Sequence, residues 1–111
     1  MSFRMLQMDV LRWAKDKDLL HVENAEKQFM KFIEEVFEFK TEFDICYCPG
    51  RVSKCLKRNL KLEMGDIFVT LIILCEQIGI DPEECLSMAY EKISKRKGRT
   101  INGQFFKEED L

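Results

Sequence analysis

The sequence predicts an all-α protein of about four helices with a short C-terminal tail or hairpin. Apolar residues recur at spacings of three and four along most of the chain, which is the period of an amphipathic helix, and no alternating strand pattern precedes the tail. The chain has 111 residues, of which 46% are hydrophobic, enough for a single core. We therefore expect one domain over residues 1–111, with its core at about 3–97 and a tail at 98–111.

The third predicted helix, at about 54 to 78, combines an apolar surface with a polar stripe. From Ile67 to Cys75 every residue except Thr70 is apolar, so this part of the helix is apolar on all sides and is expected to be buried. The polar residues that fall within about 60° of one another on the helical wheel are Asn59, Glu63, Asp66, Thr70 and Gln77. Because an unpaired buried carboxylate costs several kcal/mol, this stripe requires a cation, basic side chains or a water-filled cleft.

The first two helices are predicted from apolar stripes. Helix one is expected from about 3 to 17 with Ser2 as its N-cap, and helix two from about 23 to 43. The stripes expected to face the core are Phe3, Leu6, Val10 and Trp13 on helix one, and Ala25, Phe29, Phe32, Val36, Phe39 and Phe43 on helix two. Residues 44–53 are predicted to be a loop, because they contain a proline–glycine turn signal.

Helix four has the clearest start in the chain. Asp81 is a good N-cap, Pro82 suits the first helical position, and Gly79 suits the end of the preceding helix. The predicted inward face of helix four contains Cys85, Ala89 and Ile93. The tail contains Asn102-Gly103 between short apolar pairs, which is typical of a small hairpin or a partner-binding arm.

Composition argues against several classes of protein. The 18 basic residues are offset by 20 acidic ones, which gives no reason to expect a nucleic-acid partner. The first residues lack the apolar segment of a signal peptide, and the apolar run of helix three is about half as long as a membrane span. Five cysteines in such a chain predict reduced thiols in the cytoplasm. A zinc site at Cys46, Cys48 and Cys55 stays open, although the spacing fits structural zinc sites poorly.

Two groups of acidic residues could hold a divalent cation. Helix two contains Glu34, Glu35 and Glu38, and helix three contains Glu63 and Asp66, with spacings that place each group on one side of its helix. A short loop would make the two helices antiparallel with the groups at comparable height. Close carboxylates would repel by about 3 kcal/mol per pair at 5 Å with an effective dielectric constant of 20. Mg²⁺, or secondly Mn²⁺, would remove that repulsion. The alternative is that the acids are solvated and pair with Lys27, Lys31 or Lys61.

A joint pattern links the two groups. It is Gln28-x-x-Lys31-x-x-Glu34-Glu35-x-x-Glu38, followed by Glu63-Met-Gly-Asp66 before a long apolar helix that ends in Ile-Gly-Ile-Asp. Over about residues 10 to 97, this pattern resembles the MazG-like branch of the all-α nucleoside triphosphate pyrophosphohydrolases. The resemblance implies a helical fold, usually dimeric or tetrameric, that hydrolyses (d)NTPs to (d)NMPs and pyrophosphate with Mg²⁺.

The same resemblance implies roles for individual residues. The implied metal ligands are Glu35, Glu38, Glu63 and Asp66. Glu34 would be a candidate base, and Lys31 would bind substrate. Lys92 and Arg96 fall where the family places phosphate-binding cations, although basic residues in the last turn of a helix also complement its dipole. Trp13 could stack on a nucleobase or complete the core stripe of helix one.

Two hypotheses compete with a pyrophosphohydrolase. One is a non-catalytic helical module that binds a partner protein, and the other is a small zinc-binding adaptor. Nine phenylalanines are more than four short helices are expected to bury, so we also expect a homodimer or homotetramer.

Overall fold

The computed structural model describes residues 1–47 and 55–111, and within them the protein has four α-helices and one β-hairpin. The helices are α1 (Phe3–Asp16), α2 (Ala25–Tyr47), α3 (Lys57–Ile78) and α4 (Pro82–Ser94), with short 3₁₀ turns at Val22–Asn24 and Glu108–Asp110. The antiparallel strands are β1 (Gly98–Ile101) and β2 (Gln104–Lys107). The prediction of an all-α fold with about four helices is confirmed. The chain divides into two compact units, Met1–Ile80 and Asp81–Leu111.

In the first unit, α2 and α3 pack against each other and run antiparallel. Gln28, early in α2, donates a hydrogen bond from Nε2 to the carbonyl oxygen of Thr70, late in α3, at 3.3 Å. Cys46, at the end of α2, is joined to Cys55, just before α3 begins. Residues early in α2 therefore lie beside residues late in α3, and the end of α2 lies beside the start of α3. This is the antiparallel arrangement that the sequence predicted for the two acidic helices.

Capping explains the start of α1 and the end of α3 in this unit. The hydroxyl of Ser2 accepts a hydrogen bond from the backbone N–H of Met5 at 3.1 Å, as expected of an N-cap. Gly79 ends α3 with φ of +78°, a conformation that favours glycine. The predicted start of the loop is wrong, because residues 44–47 continue α2 as helix. The rest of that predicted loop, 48–53, lies outside the described residues.

The predicted core face of α1 is wrong in part. Phe3, Leu6 and Trp13 are each about half exposed, whereas the buried residues of α1 are Gln7 and Ala14. An apolar stripe shows which residues share a face, but a neighbouring helix decides which face it covers. Here the most buried face of α1 is shifted from the predicted stripe towards Gln7 and Ala14, although the ring of Phe3 still contacts that of Phe68 in α3.

The predicted core face of α2 shows the same shift. Phe29, Val36 and Phe43 are exposed, and the buried residues of α2 are Glu35 and Cys46. The apolar residues that are buried in the described chain are Ala14, Cys46, Leu60, Ile72, Ile73 and Cys75. Three of these six belong to the C-terminal half of α3, so the expectation of a buried α3 holds best there.

The cysteines differ from the expected reduced thiols. Cys46 and Cys55 form a disulfide that closes the connection between α2 and α3. Their sulfurs are therefore not free to bind zinc as the alternative required, and Cys48 lies outside the described residues. Cys75 is a buried thiol and Cys85 an exposed one. The antiparallel packing brings two cysteines together that composition alone does not pair.

The second unit contains α4 and the hairpin. The side chain of Asp81 accepts a hydrogen bond from the N–H of Glu84 at 3.3 Å, and Pro82 occupies the first turn, which confirms the predicted helix start. No residue of α4 is buried, so the second unit by itself does not cover the predicted inward face. The hairpin alternative for the tail is confirmed, because Asn102 and Gly103 both have positive φ, as a two-residue hairpin turn requires.

Among the described helices, none is long and apolar enough to cross a membrane.

Candidate metal centre

Polar residues follow one face of α2 at spacings of three and four. They are Gln28, Lys31, Glu35, Glu38 and Glu42. The predicted polar stripe of α3 lies against this face, since Gln28 bonds to Thr70 and Glu35 lies beside Glu63 and Asp66. The interface between the two helices is therefore polar along one edge. The sequence pattern already contained Gln28, Lys31, Glu35 and Glu38 on α2. It did not include Glu42, which extends the stripe by one more turn.

Three carboxylates converge at this interface. Oxygen atoms of Glu35, Glu63 and Asp66 all lie within 4.8 Å of one another. We call these three residues the acid cluster. Glu35 is buried, Glu63 is half-buried and Asp66 is exposed, so the cluster opens to solvent on the side of Asp66. It contains three of the four predicted metal ligands.

Two oxygens of the acid cluster have no hydrogen-bond donor. Glu35 Oε2 and Glu63 Oε2 are buried and unpartnered in the described part of the protein. Leaving a buried acceptor unpaired is costly, and more so for a charged group. A hard divalent cation is bound by such carboxylate oxygens. The residues present therefore fit a divalent cation.

Glu38, the fourth predicted ligand, lies one turn of α2 beyond Glu35. A hydrogen bond with Glu35 raises the pKa of Glu38 above its ordinary value, and the negative charge of Glu35 raises it further. That hydrogen bond needs a proton on one of the two carboxyls. A carboxyl group must release its proton before it binds a metal ion, so a cation bound at Glu38 would take the place of the shared proton.

The pKa of Glu63 is also raised. Loss of hydration is the largest cause, followed by the negative charges of Asp66, Glu35 and Glu42. Burial and like charge both disfavour the ionised form. The acid cluster is thus electrostatically strained when all its members are ionised and no cation is bound.

Lys31 is the basic neighbour of the acid cluster. Its Nζ lies 3.1 Å from Glu35 Oε1 and 3.7 Å from Glu34 Oε2. The hydrogen bond with Glu35 and the charge of Glu34 are the two largest causes that raise the pKa of Lys31. The side chain of Glu34 is 60% exposed, so Glu34 lies beside the cluster on its solvent side. Its predicted role as a base stays a prediction.

A cavity of about 280 Å³ adjoins the acid cluster between the first three helices. Its lining includes Trp13 from α1, Lys31 and Glu35 from α2, and Asp66 from α3. Trp13 is 51% exposed, so the interpretation of its ring as core is wrong. Its alternative, stacking on a nucleobase, stays a prediction. Small-molecule pockets combine apolar walls with a few polar groups in this manner.

Other polar residues fix the helices around the cavity. Gln77 is buried and donates from Nε2 to the carbonyl oxygen of Leu19 at 2.8 Å, which ties α3 to the connection after α1. Thr70 Oγ1 donates to the carbonyl oxygen of Ile67 at 2.9 Å. The stripe on α3 thus has two functions: Glu63 and Asp66 contribute carboxylates, while Thr70 and Gln77 contribute structural hydrogen bonds.

The remaining predicted substrate-binding residues belong to the second unit. Lys92 lies in the last turn of α4, and Arg96 follows the end of that helix. Their predicted phosphate-binding role stays a prediction.

Comparison with known proteins finds a similarity to a phage protein. No family model and no solved structure matches the chain. The chain is 33% identical over 80 residues to the "Uncharacterized 18.2 kDa protein in rep-hol intergenic region" of Haemophilus phage HP1 (strain HP1c1). The match covers 72% of this chain and 44% of the phage protein, so the chain spans less than half the length of that relative. The similarity assigns no activity.

Proposed function

We propose that the protein is a Mg²⁺-dependent nucleoside triphosphate pyrophosphohydrolase that converts (d)NTPs to (d)NMPs and pyrophosphate. The observation that supports this function best is the pair of buried, unpartnered oxygens of Glu35 and Glu63 in the acid cluster. The cavity beside the cluster supports it further, as does the resemblance of the motif to MazG-like enzymes. Mn²⁺ is a second candidate for the metal.

The acid cluster, with Glu38, would hold the cation. Bound Mg²⁺ would neutralise the carboxylates, polarise the α-phosphorus and lower the pKa of the attacking water. Glu34 lies beside the ligands on the solvent side, where its carboxylate would orient that water or accept its proton. Lys31 would neutralise phosphate charge, and the exposed ring of Trp13 would stack on the base.

The predicted phosphate-binding residues lie at the end of α4, in the second unit. The expected binding of the β- and γ-phosphates and of pyrophosphate by Lys92 and Arg96 stays a prediction. We further propose a homodimer or homotetramer in the cytoplasm, where nucleoside triphosphates are available.

A panel of NTPs and dNTPs with Mg²⁺, scored for pyrophosphate against orthophosphate, tests this function. We expect pyrophosphate and a nucleoside monophosphate, with no turnover in EDTA. Glu63→Gln should abolish turnover, whereas Glu26→Gln, an exposed glutamate in the first turn of α2, should leave it unchanged. Orthophosphate as the only phosphate product would contradict attack at the α-phosphorus.

A second candidate function is a non-catalytic module that binds a partner protein. A cavity of about 520 Å³ between α2 and α3 favours it, because its lining is mainly apolar and includes Phe39, Phe43, Tyr47, Leu60, Met64 and Phe68. Metal dependence separates the two candidates. A protein that hydrolyses no nucleotide, and whose melting temperature does not respond to Mg²⁺, would favour the interaction module.

A further inference from the structure

Lys31 lies where a counter-ion to the acid cluster is needed. Its Nζ is 3.1 Å from Glu35 Oε1, although half of the lysine side chain is exposed and only 8% of the glutamate side chain is. The two residues are one turn apart on α2, which is the spacing at which lysine and glutamate pair on a helix. A lysine at the surface thus extends its ammonium towards a buried carboxylate.

The ammonium satisfies only part of the acid cluster. Glu35 Oε2 and Glu63 Oε2 are buried and accept no hydrogen bond within the described ranges. Lys31 pairs with Glu35 and, at 3.7 Å, with the exposed Glu34. One positive charge is thus shared between two carboxylates, while the oxygens of the acid cluster lie within 4.8 Å of one another. A lysine ammonium is a point charge on a flexible stem, so it can leave this position without moving the helix backbone.

We propose that Lys31 is the cation of the acid cluster in the metal-free protein, and that a divalent cation displaces its ammonium into the adjoining cavity. Lys31 lines that cavity beside Gln28 and Glu35, so the displaced ammonium remains within it. There it would face the phosphates of a bound nucleotide. The inference rests on the proposed function, since it requires both the metal site and an anionic substrate.

The displacement of its ammonium by a divalent cation gives Lys31 opposite effects on metal binding and on substrate binding. Without nucleotide, its positive charge competes with the divalent cation for Glu35 and weakens metal binding. With nucleotide, the released ammonium neutralises phosphate charge and strengthens substrate binding. A lysine that only positions Glu35 would instead strengthen metal binding under both conditions.

Binding of Mn²⁺ alone, measured by electron paramagnetic resonance of the free ion without nucleotide, tests the competition. Lys31→Met should bind Mn²⁺ roughly three- to tenfold more tightly than wild type, because a like charge next to the ion is removed. Lys31→Arg keeps the charge and should bind no more tightly than wild type. The matched control is Lys40→Met, which changes net charge equally and removes the lysine–carboxylate pair with Asp44 on the same helix. It should stay within about twofold of wild type, as expected for an exposed pair.

Two further readouts examine the same variant. In EDTA, Lys31→Met should melt below wild type, since Glu35 loses its counter-ion, and saturating Mn²⁺ should reduce that difference. In the hydrolysis assay at saturating Mg²⁺, the variant should raise KM more than it lowers kcat, since phosphate binding is lost.

The outcomes distinguish this inference from the proposed function. If Lys31→Met binds Mn²⁺ as weakly as wild type or more weakly, Lys31 does not compete with the metal, and the inference is overturned while the metal site stands. A wild type that binds no Mn²⁺ at millimolar concentration overturns both.

Discussion

Glu35 is the most buried member of the acid cluster, so its ionised form is the costliest in free energy of desolvation. It is 6% exposed, and one of its carboxylate oxygens has no donor among the described residues. Its partners are one lysine and two further carboxylates, so attraction from Lys31 offsets only part of the repulsion. Residues that share this repulsion should respond to mutation in a metal-dependent manner.

Asp66→Asn tests the repulsion directly. In EDTA the variant should melt at the same temperature as wild type or higher, because one negative charge leaves the acid cluster. In millimolar Mg²⁺ the order should reverse, since only wild type gains the full binding term, about 2.7 kcal/mol at 100-fold saturation. Thermal melts of both proteins in both buffers measure this.

The control for that experiment is Asp9→Asn. Asp9 is exposed on α1 and pairs with Arg12, away from the acid cluster in the sequence. Its replacement should have a small effect that is equal in EDTA and Mg²⁺. A wild type whose melting temperature ignores Mg²⁺ would remove the main support for a metal site.

Glu34 and Glu63 should differ in what their loss impairs. Glu34→Gln should leave Mg²⁺ affinity close to that of wild type and lower kcat, because the exposed carboxylate lies beside the proposed metal ligands. Glu63→Gln should weaken Mg²⁺ binding itself. Titration calorimetry with Mg²⁺ and steady-state kinetics separate the two effects, and equal losses of metal affinity would contradict this division of roles.

The protonation of His21 can be followed separately from that of the acid cluster, which is distant from it in the sequence. Its Nε2 lies 2.6 Å from Asp18 Oδ1, and this hydrogen bond is the largest cause that raises the pKa of His21 above 6.5. A raised pKa means that the charged imidazole favours the folded state. Its stabilising contribution is therefore complete below about pH 6.5 and is lost as pH rises through the higher folded pKa.

The His21 pKa can be measured by proton NMR without ambiguity, because the chain contains a single histidine. Asp18→Asn should return the pKa towards its ordinary value, whereas Asp16→Asn, two residues earlier, should change it little. An unchanged pKa in Asp18→Asn would show that the ion pair does not form in solution.

Among the elements, α2 and α3 determine the candidate site together. Each contains a polar stripe, and neither stripe alone is unusual for a helix with so many charged residues. Their antiparallel packing places Glu35 against Glu63 and Asp66. The disulfide between Cys46 and Cys55 closes the end of this helix pair.

Reduction of that disulfide should destabilise the helix pair. Closing a loop with a sequence separation of 9 stabilises a protein by about 2–3 kcal/mol in the chain-entropy model. Dithiothreitol should therefore lower the melting temperature of wild type. It should not affect a Cys46→Ala, Cys55→Ala double variant, while Cys85→Ser should respond as wild type does. If wild type melts identically with and without reductant, the disulfide does not contribute to stability in solution.

At the scale of the whole molecule, exposed apolar surface predicts self-association. Large apolar side chains that are exposed in the described chain include Phe3, Leu6, Phe29, Phe37, Phe43 and Phe68. Monomeric proteins rarely expose large apolar patches, and a partner subunit would cover side chains such as these. Light scattering at micromolar concentration should therefore report a dimer or tetramer of the 13.2 kDa chain. A monomer would count against the proposed homo-oligomer.

Local chemistry was sufficient for much of the fold. Ser2, Asp81 and Gly79 act through atoms within one helical turn, and the Asn102-Gly103 turn depends on two backbone conformations. Such features follow from a short stretch of sequence. The same holds for the spacing of Glu63 and Asp66, which the helix period alone places on one face.

The sequence by itself therefore determined the four helices, the caps at Ser2, Gly79 and Asp81 and the acidic stripe of α3, and it offered the hairpin as one of two alternatives for the tail. Only the tertiary structure decided that Trp13 is half exposed, that Glu35 is buried and that Cys46 is paired with Cys55. The physical reason is that burial and pairing depend on which face of one helix covers which face of another. An apolar stripe and a polar stripe lie next to each other on α2, and both meet α3: Glu35 lies against its carboxylates, while Phe39 and Phe43 line a cavity with its apolar residues.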